Sequence, residues 1–119
     1  MQERLFVVSS DAGEAERVAR PLRDRGWHVE MECQDPQAAQ QRIADCMPMA
    51  VVISLGFGVQ SGCDLACALQ VGAATKDLPV IFVGGDHESV ELARKTVPHA
   101  VFLTPAEIPW AIKRLTFKQ

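Results

Sequence analysis

Four short, unbroken apolar runs mark the chain: LFVV ending at Val7 and Val8, AVVIS around Val51, Val52 and Ile53, PVIFV over residues 79–83, and AVFL over residues 100–103. Runs of this length with no alternating polar positions predict strands of a parallel sheet covered on both faces. A fifth candidate, WHVEME over residues 27–32, alternates apolar and polar positions, which suits an edge strand wet on one face. Between the runs, apolar residues return every three or four positions: Ala15, Val18, Ala19 and Leu22, then Leu65, Ala66 and Leu69, then Ile108, Ala111, Ile112 and Leu115. That spacing lays each set along one face of a helix. Start signals accompany the stripes: Asp11 with Glu14 reads as a capping box, Asp35 precedes Pro36 at a first-turn position, and Ser61 stands three before Asp64. Pro109 cannot donate to a carbonyl four residues back, so the last helix is predicted to start nearer Glu107 than Pro105.

Strand and helix thus alternate five times, and crossovers of this length are right-handed. The fold class that follows is α/β, a three-layer, doubly wound, five-stranded parallel sheet in the order 2-1-3-4-5, with residues 27–32 at one edge. Such sheets carry their chemistry at the carboxyl ends of the strands. Here those ends are Ser9, Ser10, Asp11, Ser54, Gly84, Gly85 and Thr104.

Composition narrows the function classes. At 119 residues the chain fits one domain, able to bury a core without disulfide or metal staples. A net charge of −3 with scattered Lys and Arg argues against a nucleic-acid surface, which needs a concentrated basic patch. No segment approaches the apolar length of a membrane span or a signal peptide, so a cytoplasmic location without membrane attachment is expected. The four cysteines, Cys33, Cys46, Cys63 and Cys67, are expected as free thiols.

The stretch ISLGFGVQSGCDL after the third run poses the sharpest question, because a glycine-rich turn into a helix often cradles phosphate. Its glycines, Gly56, Gly58 and Gly62, are spaced G-x-G-x-x-x-G without a GK[ST] ending, which fits neither the P-loop nor the dinucleotide fingerprint. The expectation is a flexible loop rather than a nucleotide site, with Gly56 and Gly58 supplying turn geometry.

Over nearly its whole length the chain resembles the receiver domain of bacterial response regulators, a flavodoxin-like fold. The resemblance implies an acidic pair after the first strand that holds magnesium, a phosphate-accepting aspartate after the third, a hydroxyl residue after the fourth, and a lysine before a proline after the fifth. In this chain Ser9 and Ser10 stand where the acidic pair falls, with Asp11 beyond them. Counting eight back from Gly62 puts Ser54 at the aspartate position, Gly84 takes the hydroxyl position, and Thr104 before Pro105 takes that of the lysine. The frame of Gly62, Pro79 and Pro105 is kept while the chemistry is changed throughout, so the resemblance implies a pseudo-receiver spanning 1–119, compatible with the N-terminal module of a longer protein. No catalytic residues, metal or cofactor are expected, because Asp11 alone binds magnesium poorly. Ser54 is expected to be an unassisted hydroxyl, with no His or second carboxylate nearby.

Two features outside that pocket could carry function. Cys63 and Cys67, four apart on the third helix, are expected on its surface, where they offer a redox role. His28, His87 and His99 are expected solvated. On the last helix Trp110 and Phe117 fall opposite the apolar stripe, beside Lys113 and Arg114. Exposed aromatics rimmed by cations suit an interface, and the resemblance places partner and dimer contacts on the corresponding surface. The expected function is a non-catalytic, phosphorylation-independent signalling or targeting module that binds a protein partner or itself through that face. The alternative is a small-molecule or redox sensor using the vacated pocket or Cys63 and Cys67.

Overall fold

The computed structural model describes residues 4–9, 11–33 and 35–116. Its elements follow in the order β1 (Arg4–Val8), α1 (Ala12–Asp24), β2 (His28–Glu32), α2 (Pro36–Cys46), β3 (Ala50–Ser54), α3 (Val59–Val71), β4 (Val80–Val83), α4 (His87–Thr96), β5 (Val101–Leu103) and α5 (Ile108–Thr116). All five strands run parallel in the order β2-β1-β3-β4-β5.

Successive side chains of a strand point to opposite faces, so the unbroken apolar runs feed two cores at once. Phe6, Val8, Val51, Ile53, Val80 and Phe82 pack with buried residues of α2, α3 and α4. Leu5, Val7, Val52, Ile81 and Val83 pack with Ala15, Val18, Ala19 and Leu22 of α1 and Ile108 and Ile112 of α5. The result is the expected three-layer sandwich. Gly62 explains how closely α3 lies on the sheet: a Cβ there would stand 3.2 Å from Ile53 Cγ2.

Several local expectations are corrected. β5 is only half-buried because it closes the second edge of the sheet, although its sequence reads like a central strand. Helix α3 starts at Val59, two residues before Ser61, because the chain passes from β3 through a 3-10 turn, Leu55–Phe57, straight into it. In that turn the Ser54 hydroxyl accepts the Gly56 N–H at 3.2 Å, and of Gly56 and Gly58 only Gly58, at φ 124°, has a positive dihedral. His28 Nε2–H donates to Glu30 Oε2 at 2.6 Å, and the imidazole is half-exposed rather than freely solvated. This contact is the main reason the Glu30 carboxyl is held below the usual range. At the last helix, Thr104 and Glu107 form a box of their own, with the Thr104 N–H donating to Glu107 Oε1 at 2.8 Å. Asp86 caps α4 by accepting the Ser89 N–H at 2.8 Å, which lowers its carboxyl from the ordinary value.

Candidate functional site

Ser9 follows β1 and Ser54 ends β3, and the pairing of Val8 with Ile53 brings both serines level at the carboxyl end of the sheet. Both are buried. Between them lies a carboxylate that the sequence pattern did not place there. Glu14, in the first turn of α1, turns inward so that its Oε1 accepts the Ser9 hydroxyl at 2.8 Å and the Ser54 hydroxyl at 2.6 Å. Each hydroxyl also accepts a backbone N–H at 3.2 Å, from Asp11 to Ser9 and from Gly56 to Ser54. The Ser9 hydroxyl stands 3.2 Å from the Asp11 carbonyl as well, but it has one proton, and the shorter contact to a carboxylate is the stronger. Glycines flank this arrangement. A Cβ on Gly84 would stand 3.5 Å from Glu14 Oε2, and one on Gly56 would stand 3.7 Å from both oxygens.

This overturns two expectations. Ser54 is not an isolated hydroxyl, since a second-layer carboxylate touches it. The capping box of Asp11 and Glu14 is only half formed: Asp11 Oδ1 accepts the Gly13 N–H at 2.9 Å, while the Asp11 N–H goes to Ser9. Two hydroxyl-to-carboxylate bonds outcompete the single N–H that a reciprocal cap offers. The signal available in the sequence was Ser9 and Ser54 at facing strand ends with glycines on either side, a polar hollow that needs an occupant.

No family model matches the sequence, and no curated protein matches it. Among solved structures, the chain superposes on a candidate response regulator from Chloroflexus aurantiacus with a TM-score of 0.83 at 21% identity, covering 98% of both chains. It is similar to the chemotaxis protein CheY4 of Vibrio cholerae, with a TM-score of 0.80 at 16% identity over 97% of this chain and 99% of that one. It is also similar to the signal receiver domain of a histidine kinase from Syntrophus aciditrophicus, with a TM-score of 0.79 at 19% identity over 98% and 93%. The chain has the receiver fold.

On this receiver fold the end of β3, where the resemblance puts an acceptor aspartate, carries Ser54. Its contact with Glu14 is at the distance of a nucleophile and its base. Yet the hydroxyl is 1% exposed, already accepts the Gly56 N–H, and sits behind the carboxylate that would have to make way for a substrate. Nor does the donor set fit the magnesium ion that the fold implies. Magnesium takes oxygen ligands in octahedral array, usually with carboxylates. Glu14 Oε1 is engaged by two hydroxyls and Asp11 Oδ1 by its own helix, and no group of three metal-binding side chains occurs among the described residues. The structure therefore gathers Ser9, Ser54 and Gly84 around Glu14, but leaves Asp11 exposed on its cap and Thr104 exposed in its own box with Glu107. Ser10 lies outside the described residues.

The second candidate face is on α5. Ile108 and Ile112 are buried, while Trp110 on the opposite side is 68% exposed. The Arg25 guanidinium from the end of α1 stacks on the indole at 4.9 Å, a cation that the reading of α5 alone could not supply. Leu103, Glu107, Trp110, Ala111 and Arg114 line a shallow cleft of ≈ 230 Å³ there. A larger depression, ≈ 380 Å³, runs along α1 past Gly13, Glu16, Arg17, Arg20 and Pro21. Lys113 lies on α5, and Phe117 lies outside the described residues. No helix among the described residues is long and apolar enough to cross a membrane.

The cysteine pair is not where the helical phase put it. Cys63 is buried in the core with Leu65, Ala66 and Leu69, and Cys67 packs against it half-buried, because α3 is flanked by α2 and α4 as well as by the sheet. Burial pushes the Cys63 thiol up, away from the thiolate that an oxidant needs. Cys63→Ser, which places a hydroxyl in that buried setting with the Thr96 side chain as a polar partner, is expected to lower stability by about 1 kcal/mol in urea unfolding. Cys67→Ser should change it by less than half as much. Equal, negligible effects would return both thiols to the surface.

Proposed function

We propose that this receiver-fold chain is a non-catalytic signalling or targeting module that works through protein–protein contact and without aspartyl phosphorylation. The observation that carries the reading is Glu14. A carboxylate bonded to both serines fills the place where phosphoryl chemistry would occur, and its negative charge opposes the approach of an anion. The acceptor position itself is a hydroxyl rather than a carboxylate.

Binding is then assigned to the α5 face of Trp110 and Arg114, with Lys113 and Phe117 beside them in sequence, engaging a protein partner or a second copy in the cytoplasm. Buried Cys63 weighs against a redox sensor. The chain is read as one domain over 1–119 with no metal or cofactor of its own.

Acetyl phosphate, or beryllofluoride with magnesium, is expected to leave the amide NMR spectrum unchanged. A saturable, magnesium-dependent shift at Ser54 and Asp11 would overturn phosphorylation independence.

A further inference from the structure

The hollow at the ends of β1 and β3 is shaped for an oxyanion, and the chain fills it with its own. Ser9 and Ser54 aim their hydroxyls at one oxygen, at 2.8 and 2.6 Å. The N–H groups of Asp11 and Gly56 occupy an acceptor position on each serine, which leaves the hydroxyl protons directed at the oxyanion. Gly56 and Gly84 flank the site, where an added Cβ would lie in van der Waals contact with the carboxylate, and Gly84 has a φ of 75° that favours glycine. The occupant also has somewhere else to go. Asp11 and Glu14 keep the spacing of a capping box, and the Asp11 N–H that Glu14 would bond is held by Ser9 at 3.2 Å.

We propose that Ser9, Ser54, Gly56 and Gly84 form a carboxylate-binding site whose resident ligand is Glu14, a plug tethered to α1 with a second seat at the helix N-terminus. Seated inward, the plug joins α1 to the ends of β1 and β3 and fills the space beside the β4–α4 turn. Seated outward, it completes the capping box and opens the same two hydroxyls to a carboxylate from another molecule. The inference rests on the proposed function for what the site no longer does, and adds what regulates it: competition between a tethered and a free carboxylate.

The test uses acetate as the free carboxylate and Glu14→Ala to remove the plug, with sodium chloride of matched ionic strength as the control. Acetate is expected to shift the amides of Ser9, Ser54, Gly56 and Gly84 saturably in Glu14→Ala. At ten times its Kd it should raise the Tm by about 5 °C. Glu14→Gln, in which the site stays filled, should not respond, and the wild type should respond only at far higher acetate. No acetate response in Glu14→Ala, or an equal response in all three proteins, would overturn the proposal. If Glu14→Ala does not fold, Glu14→Gln decides alone: its Ser9, Ser54 and Gly56 amides must move from their wild-type positions, and unmoved amides refute the plug. A beryllofluoride response in the wild type would remove the functional reading while leaving the acetate result standing, so the two failures are separable.

Discussion

Gly85→Ala is expected to destabilise the domain by about 3 kcal/mol, measured by urea unfolding. Two effects add there. Gly85 has φ 83°, a left-handed conformation that costs an L-residue roughly 1–2 kcal/mol. Its missing Cβ would also stand 2.7 Å from Leu55 Cβ and 3.3 Å from Leu55 Cδ1. Leu55 is 3% exposed and begins the 3-10 turn that follows Ser54, so it cannot retreat without moving the pocket. Overpacking of this kind costs about 1–3 kcal/mol. Gly26→Ala isolates the first effect, because Gly26 has φ 95° with nothing within 4 Å of an added Cβ. It should lose only about 1–2 kcal/mol. Equal losses at the two glycines would mean that Leu55 yields freely and that the turn after β3 is softer than its packing indicates.

Trp110→Ala, alone and combined with Phe117→Ala, is expected to weaken self-association or partner binding at least 30-fold, read by sedimentation or pull-down. A hot-spot aromatic contributes about 2 kcal/mol or more to an interface, which corresponds to that factor. Folding stability should fall by no more than about 1 kcal/mol. Trp110 is 68% exposed, and its identified ring contact is the Arg25 guanidinium, an interaction of roughly 0.5–1 kcal/mol at an exposed site. Arg25→Ala separates packing from binding: it should leave the fold intact and weaken association less than Trp110→Ala. If the tryptophan variant melts far lower while association persists, the indole belongs to the fold and the binding face must be sought elsewhere.

The division between what was legible and what was not runs along sequence separation. The runs ending at Val8, Ile53 and Val83, and the stripes Ala15-Val18-Ala19-Leu22 and Ile108-Ile112, are all buried as their periodicity required. Periodicity reports a residue's own strand or helix, so it was enough for the element order, while the sheet order 2-1-3-4-5 followed from the known doubly wound orders with residues 27–32 placed at an edge. It failed where the number of neighbours decided. Cys63 lies off the main apolar stripe, yet α3 is covered on more than one side. Val101, Phe102 and Leu103 look central, yet nothing pairs beyond them in the described sheet.

The pocket shows the same limit in a single side chain. By sequence alone, Glu14 stands three residues after Asp11 and belongs in a capping box, a contact made within one turn of helix. The sequence did establish the elements of the pocket: serines at facing strand ends, glycines beside them, and no acidic acceptor at Ser54. Only the tertiary structure brought the Ser54 hydroxyl, 40 residues away in the chain, to 2.6 Å from that carboxylate. Local spacing offers Glu14 one backbone N–H, whereas the folded sheet offers two hydroxyls in a buried setting where charge-assisted hydrogen bonds are stronger, so the choice between the two seats could be made only after the strands had come together.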